Sequence, residues 1–284
     1  MMMKSFHIHI NINSILFMAL LLPQTIIAQQ KQVFRFGLQV TYNMSYQKDS
    51  NDVQSVRKLP MELLVNDSVS LFRSIKKARK DSVDYYSEKE PNMISAPGPV
   101  SKFEYQIVKK KGAVITYDPI FGMGPDLKEL MIGVYHEDPD FLPWQITADT
   151  LTKAGFLCQK AMLDFGGRHW TAWFAPEIPM SDGPYKFCGL PGLIISIGDT
   201  KGYWRFELVE LKKVEREVAI NFQDWYRLKQ FSKKDFFMER KKYESNVFAL
   251  FEAAGLNFKD KREIVRKAIN ERILKDNNWI ELYP

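Results

Sequence analysis

The chain has 284 residues, of which 45% are hydrophobic and 13% aromatic, and a net charge of +6. That length and apolar content fit an ordered globule of one large or two small domains and exclude an intrinsically disordered chain. The charge is uneven: residues 29–200 hold 20 basic and 20 acidic side chains, residues 201–284 hold 19 and 14, so the excess belongs to the C-terminal segment.

Lys4 precedes an apolar run from Ile12 to Ile27, and Ala28-Gln29 offers a small residue at a cleavage point. This pattern predicts a secretory signal peptide over residues 1–28. Asn13, Ser14, Pro23, Gln24 and Thr25 interrupt the run, which leaves it short of the roughly 20 apolar residues that an anchor needs. No cysteine follows it, which disfavours lipoprotein attachment. The expected location is periplasmic or outer-membrane associated, not integral, and export removes nucleic acid as a partner.

The expected domain spans residues 29–230. Phe34, Phe36, Leu38, Val40, Tyr42 and Met44 alternate with Arg35, Gly37, Gln39, Thr41 and Asn43, the mark of a strand with one buried face. Met61 to Val65 and Val69 to Phe72 flank Asn66-Asp67-Ser68 as a hairpin. A polar stretch over about 73–100, ending in Ala96-Pro97-Gly98-Pro99, reads as a loop or insertion. Phe103 to Val108 with Ala113 to Tyr117, and Phe156 to Leu163 with His169 to Ala175, read as further antiparallel hairpins. Ser232 with Asp235 is a capping box opening a helix that lasts to Gly255, and a second helix runs from about Asp260 to Lys275. The fold class is therefore α+β: a twisted antiparallel sheet, half-barrel-like, with a basic C-terminal helical segment, residues 231–284, packed on it or extending from it.

Beyond the last of these hairpins lies Gly183-Pro184-Tyr185-Lys186-Phe187-Cys188, followed by Gly189-Leu190-Pro191-Gly192-Leu193-Ile194. Two glycines and a proline cannot continue a helix, so this is a turn feeding a strand. With Ala172-Trp173-Phe174-Ala175 and Glu177-Ile178-Pro179 upstream, the segment resembles the signature of the GLPGLI family, secreted Bacteroidetes proteins of unestablished activity. A buried hairpin with a demanding turn is one reading, and a ligand cradle of backbone amides the other. The resemblance implies an accessory of the cell envelope, associated with an outer-membrane receptor.

Reactive constellations are scarce. His136 and His169 are the histidines outside the signal peptide, and no nucleophile elbow, zinc-protease, phosphate-loop or dinucleotide motif occurs. The reading is thus of no catalytic residue, no cofactor and no metal; His136-Glu137-Asp138 with Asp140 is a poor metal set, since neighbours on a strand face opposite ways. Cys158 and Cys188 would meet an oxidising compartment, where pairing is expected over two buried thiols. A bridge would close a loop of about 30 residues and stabilise by about 3.6 kcal/mol. Trp144, Trp170 and Trp173 are core residues or contacts to a ligand. The basic helices present a solvated face or touch an acidic partner or anionic lipid. The functional expectation is a non-catalytic accessory or binding protein for an outer-membrane partner; the alternatives are a carrier of an apolar ligand in the concave sheet and an enzyme of unfamiliar type.

Overall fold

A computed structural model describes residues 32–87, 102–120, 130–220, 226–253, 255 and 257–284. The expected signal peptide and residues 88–101 of the polar insertion lie outside them. The described strands are β1 (Gln32–Gln47), β2 (Val56–Val65), β3 (Val69–Ser74), β4 (Gln106–Lys110), β5 (Ala113–Ile120) and β6 (Leu130–Glu137). They continue as β7 (Gln145–Lys153), β8 (Phe156–Phe165), β9 (Arg168–Ala175), β10 (Leu193–Asp199), β11 (Trp204–Ile220) and β12 (Tyr226–Gln230). Three α-helices join them: α1 (Ile75–Ser87), α2 (Lys233–Ala253) and α3 (Arg262–Leu274).

The strands form one open, twisted sheet in the order β12-β6-β5-β4-β3-β2-β1-β11-β10-β9-β8-β7. Neighbours are antiparallel except β12, which runs parallel to β6. The α+β expectation is met at that level. β1 sits mid-sheet between β2 and β11, and its even-numbered face buries Phe36, Val40, Tyr42 and Met44, as the alternation predicts. Its pairing with β11 slips at Phe36/Leu38 and at Thr41/Tyr42; bulges of this kind add local twist.

The main core lies where β1, β2, β9, β10 and β11 meet the turn segment: Tyr42, Leu63, Phe72, Phe174, Phe187, Leu190, Ile194, Trp204 and Phe206 share one cluster. Lys109 of β4 holds the start of that segment, donating to the carbonyl of Gly183 at 2.5 Å and pairing with Asp182 at 2.5 Å. A second cluster gathers Phe36, Leu64, Leu71, Val108, Ile115, Ile132 and Val218, with Leu228 of β12 packed against it.

Two regions depart from expectation. The polar stretch opens not as a loop but as α1, tied down by charge: Arg73, 1% exposed, bonds Glu62 at 2.9 Å and Asp81 of the helix at 2.8 Å. Its sparse apolar residues hid the helix. The C-terminal segment divides into three parts. α2 opens on the predicted cap, the backbone N–H of Asp235 donating to Ser232 Oγ, and docks Phe236 and Phe237 on Tyr135 of β6. α3 buries no residue. Beyond it the chain leaves the helical path and returns to the sheet as an extended tail.

Candidate functional site

The tail, Asn277 to Tyr283, is threaded against the β8–β9 turn. Arg168, next to the turn glycines, donates to the carbonyls of Trp279 and Ile280 and to Asn278 Oδ1, while pairing with Asp199 at 3.1 Å. The N–H of Leu282 donates to the carbonyl of Gly166, and Asn278 Nδ2 to that of Gln47. Gly166 and Gly167 both have positive φ, and a Cβ on either would strike Glu281 or Tyr283 at under 3 Å. The turn needs glycine for its dihedrals and because the tail lies on it.

Glu281 completes a ring of four charges. Lys186 pairs with Glu137 at 2.5 Å and Glu281 at 2.6 Å, and Lys233 pairs with the same two carboxylates at 2.7 and 2.6 Å. Tyr185 donates its hydroxyl proton to Glu281, and Lys186 donates to the hydroxyl of Tyr135 at 3.0 Å. Lys186 is 0% and Glu281 1% exposed as side chains. Burial alone would neutralise both, but Lys186 and Lys233 hold the Glu281 carboxyl below its ordinary range, and Glu281, Tyr135 and Glu137 hold the Lys186 ammonium above its own. The ring fastens four segments far apart in sequence: β6, the turn segment, the start of α2 and the tail.

Beside the ring opens a narrow recess, its mouth open to solvent and its enclosed part no larger than a water-sized group. Tyr105, before β4, and Thr116 and Asp118 of β5 form one wall. Trp204, which opens β11, Arg240 of α2 and Trp279 of the tail form the rest. The Arg240 guanidinium is sandwiched 4.3 Å from the ring centre of Phe237 and 4.2 Å from that of Trp279. Phe237 and Arg240 share a helix face at i, i+3 spacing. Lys102 also lies over Trp279, at 3.9 Å, and is committed to Asp276 at 2.6 Å. Among the described residues, the buried Tyr105 hydroxyl, Thr116 hydroxyl and Trp204 indole N–H have no hydrogen-bond partner. Burial pushes the Asp118 carboxyl up to about 7; Arg240 and Lys186 oppose the rise and Glu281 adds to it.

Asp118 therefore holds its proton more tightly in the folded chain than in the unfolded one. It favours folding fully below about pH 4, its unfolded value, and that contribution is lost as pH rises through about 7. Urea melts between these limits are expected to show wild-type stability falling relative to Asp118→Asn, which removes the titration. Parallel curves for the two proteins would mean that Asp118 ionises as an ordinary carboxylate.

The predicted site residues lie mostly elsewhere. Gly183, Pro184, Leu190, Gly192, Leu193 and Ile194 are buried, with Gly189 and Pro191 exposed. Trp170 is core and donates to the Phe165 carbonyl at 3.0 Å; half-buried Trp144 donates to the Cys188 carbonyl at 2.7 Å; Trp173 packs against the core edge. None of the three lines the recess. Cys158 and Cys188 are both buried and carry no bond between them, so the expected bridge is not shown; burial pushes both thiols up. His169 pairs with Asp164 on an open hairpin surface, the two side chains 75% and 79% exposed, and no cleft surrounds them. His136 is exposed, and Glu137 is bound into the ring of charges. None of the recess residues was picked out as a site contact in the sequence: Arg240 reads as one more charge on a helix, and Trp279 as an ending.

A family model described as "Protein of unknown function (Porph_ging)" matches residues 166–196. That stretch contains Arg168, Tyr185 and Lys186, three of the side chains that grip the tail. No curated protein matches this chain. Among solved structures it is similar to PNGF-II in a P21 space group, at 14% identity and a TM-score of 0.50, over 74% of this chain and 34% of that one. PNGF-II in a C2 space group is similar at 14% identity and a TM-score of 0.49, over 74% and 33%. This chain spans about a third of the length of PNGF-II, and the likeness is one of fold.

Proposed function

We propose that the protein is a non-catalytic, exported envelope protein of the GLPGLI type that acts by binding, as an accessory to an outer-membrane partner. The observation that carries this reading is α3, which buries nothing within the chain. A 13-residue helix covered only in part, through Arg262 on Glu252 and Phe248 of α2, is marginal in water, and its exposed Ile264 and Leu274 are left for another surface. Seven basic and three acidic side chains lie between Lys259 and Lys275, so the matching face is acidic protein. Among the described residues no helix is long and apolar enough to cross a membrane, in keeping with a periplasmic or outer-membrane-associated protein. We read the open sheet as a half-barrel, because a twisted open sheet of twelve strands curls. An apolar carrier has less support, since the recess presents charged and hydroxyl groups.

Photo-crosslinking in cells tests the reading, with the probe at Ile264 and a control at Leu157. A single envelope-protein adduct is expected at Ile264 and not at Leu157, and it should vanish when Lys261, Lys267 and Arg272 are changed to glutamate, which spares the Arg262 and Arg266 ion pairs. Adducts to lipid alone, or none, would overturn the proposed partner.

A further inference from the structure

The geometry points to a second binding site, independent of α3: the recess bounded by Tyr105, Thr116, Asp118, Trp204, Arg240 and Trp279 takes the carboxylate of a small monoanionic ligand. Three polar side chains that line it are more than nine-tenths buried, Tyr105 at 6%, Thr116 at 2% and Trp204 at 1% exposure, and each has a polar atom without a partner among the described residues. A buried polar group left unpaired costs about 1–3 kcal/mol. Three around one recess identify a place where the fold leaves hydrogen bonds for something else to make.

The inventory of these groups selects the ligand. The Trp204 indole and the Arg240 guanidinium only donate; the two hydroxyls donate or accept. Asp118, with its carboxyl raised to about 7, carries a proton for much of the time at neutral pH and then donates as well. Donors outnumber obligate acceptors, so the guest is rich in acceptors. The charges narrow it further. Lys102 is neutralised by Asp276, and among the described residues no carboxylate lies within ion-pair distance of Arg240. Glu244 and Asp118 still feel Arg240, which opposes the rise that burial gives both carboxyls, so the net positive charge at the recess is at most one, which suits a monoanion and opposes a phosphate dianion. Trp279 and Phe237 already hold the guanidinium flat, the orientation that a bidentate carboxylate needs. The walls around it, Phe103, Tyr185 and Phe237, are aromatic and suit a compact apolar body behind the carboxylate.

The test uses the purified protein with its tryptophan indoles labelled with 15N, titrated with sodium acetate, sodium benzoate and neutral benzamide. Acetate and benzoate at millimolar concentration are expected to shift the Trp204 and Trp279 indole resonances saturably; benzamide should not. Arg240→Gln should weaken benzoate by about tenfold or more, with Arg240→Lys intermediate; the melting temperature should fall only slightly, by the loss of the contacts to Phe237 and Trp279. Affinity should fall as pH rises through about 7 and lose that dependence in Asp118→Asn, a second variant that leaves α2 intact. Absence of a saturable shift with either carboxylate, equal binding of benzamide, or full binding by Arg240→Gln would each overturn the assignment.

Discussion

Glu281→Ala is expected to lower stability by about 3–5 kcal/mol, the usual consequence of removing one member of a buried ion pair and leaving its partners charged. The substitution leaves Lys186 and Lys233 sharing the single carboxylate of Glu137, and Lys186 has no exposure through which to recover water. It also removes the acceptor of the Tyr185 hydroxyl. Chemical denaturation gives the loss directly, and limited proteolysis should show the tail cut in the variant under conditions where the wild type is intact. Replacing Lys186 by methionine together with Glu281 by leucine deletes one charge of each sign and refills the space, so much of the stability should return. A Glu281→Ala protein that melts with the wild type would show that the ring does not hold the tail.

The second large effect lies in the Gly-Leu-Pro-Gly turn. A Cβ placed on Gly192 would stand 2.3 Å from the carbonyl oxygen of Ala175 and 2.9 Å from the nitrogen of Pro176. These are backbone atoms held by the β9–β10 pairing, in which Leu193 faces Ala175, so neither can yield. Gly192→Ala should cost about 3 kcal/mol through overpacking. Gly189 differs: its φ is +92°, and only the Trp144 ring, at 3.8 Å, lies near its missing side chain. Gly189→Ala should cost about 1–2 kcal/mol, the price of a left-handed backbone. Equal losses in urea melts, or a larger one at Gly189, would contradict this ordering.

That contrast shows what was legible in the residues and what was not. Both glycines announce a turn, but only one is required by its dihedrals; the other is required by a strand that the chain laid down earlier. Local periodicity was readable wherever one face is wet and the other dry: β1, the β2–β3, β4–β5 and β8–β9 hairpins and the capped start of α2 all follow from it. α1 was not readable, because its stability leans on Arg73 and Asp81 rather than on an apolar stripe. The ring and the recess are harder still. Glu137, Lys186, Lys233 and Glu281 are each an ordinary surface charge in their own windows, and only the return of the tail makes them neighbours. Asp118 and Arg240 belong to the same class.

The mid-sheet pairing of β1 with β11 carries a consequence for the order of events. Gln32 aligns with Ile220 and Tyr46 with Trp204, so the first described strand waits for a neighbour that emerges from the ribosome more than 150 residues later. The hairpins can form as they appear, but the middle of the sheet cannot zip until then, and the tail fastens last. Long-range pairing of this kind makes folding slow and keeps the nascent chain incompletely assembled. For the exported protein that we propose, such lateness is an advantage: the middle of the sheet stays open while the chain threads its export channel.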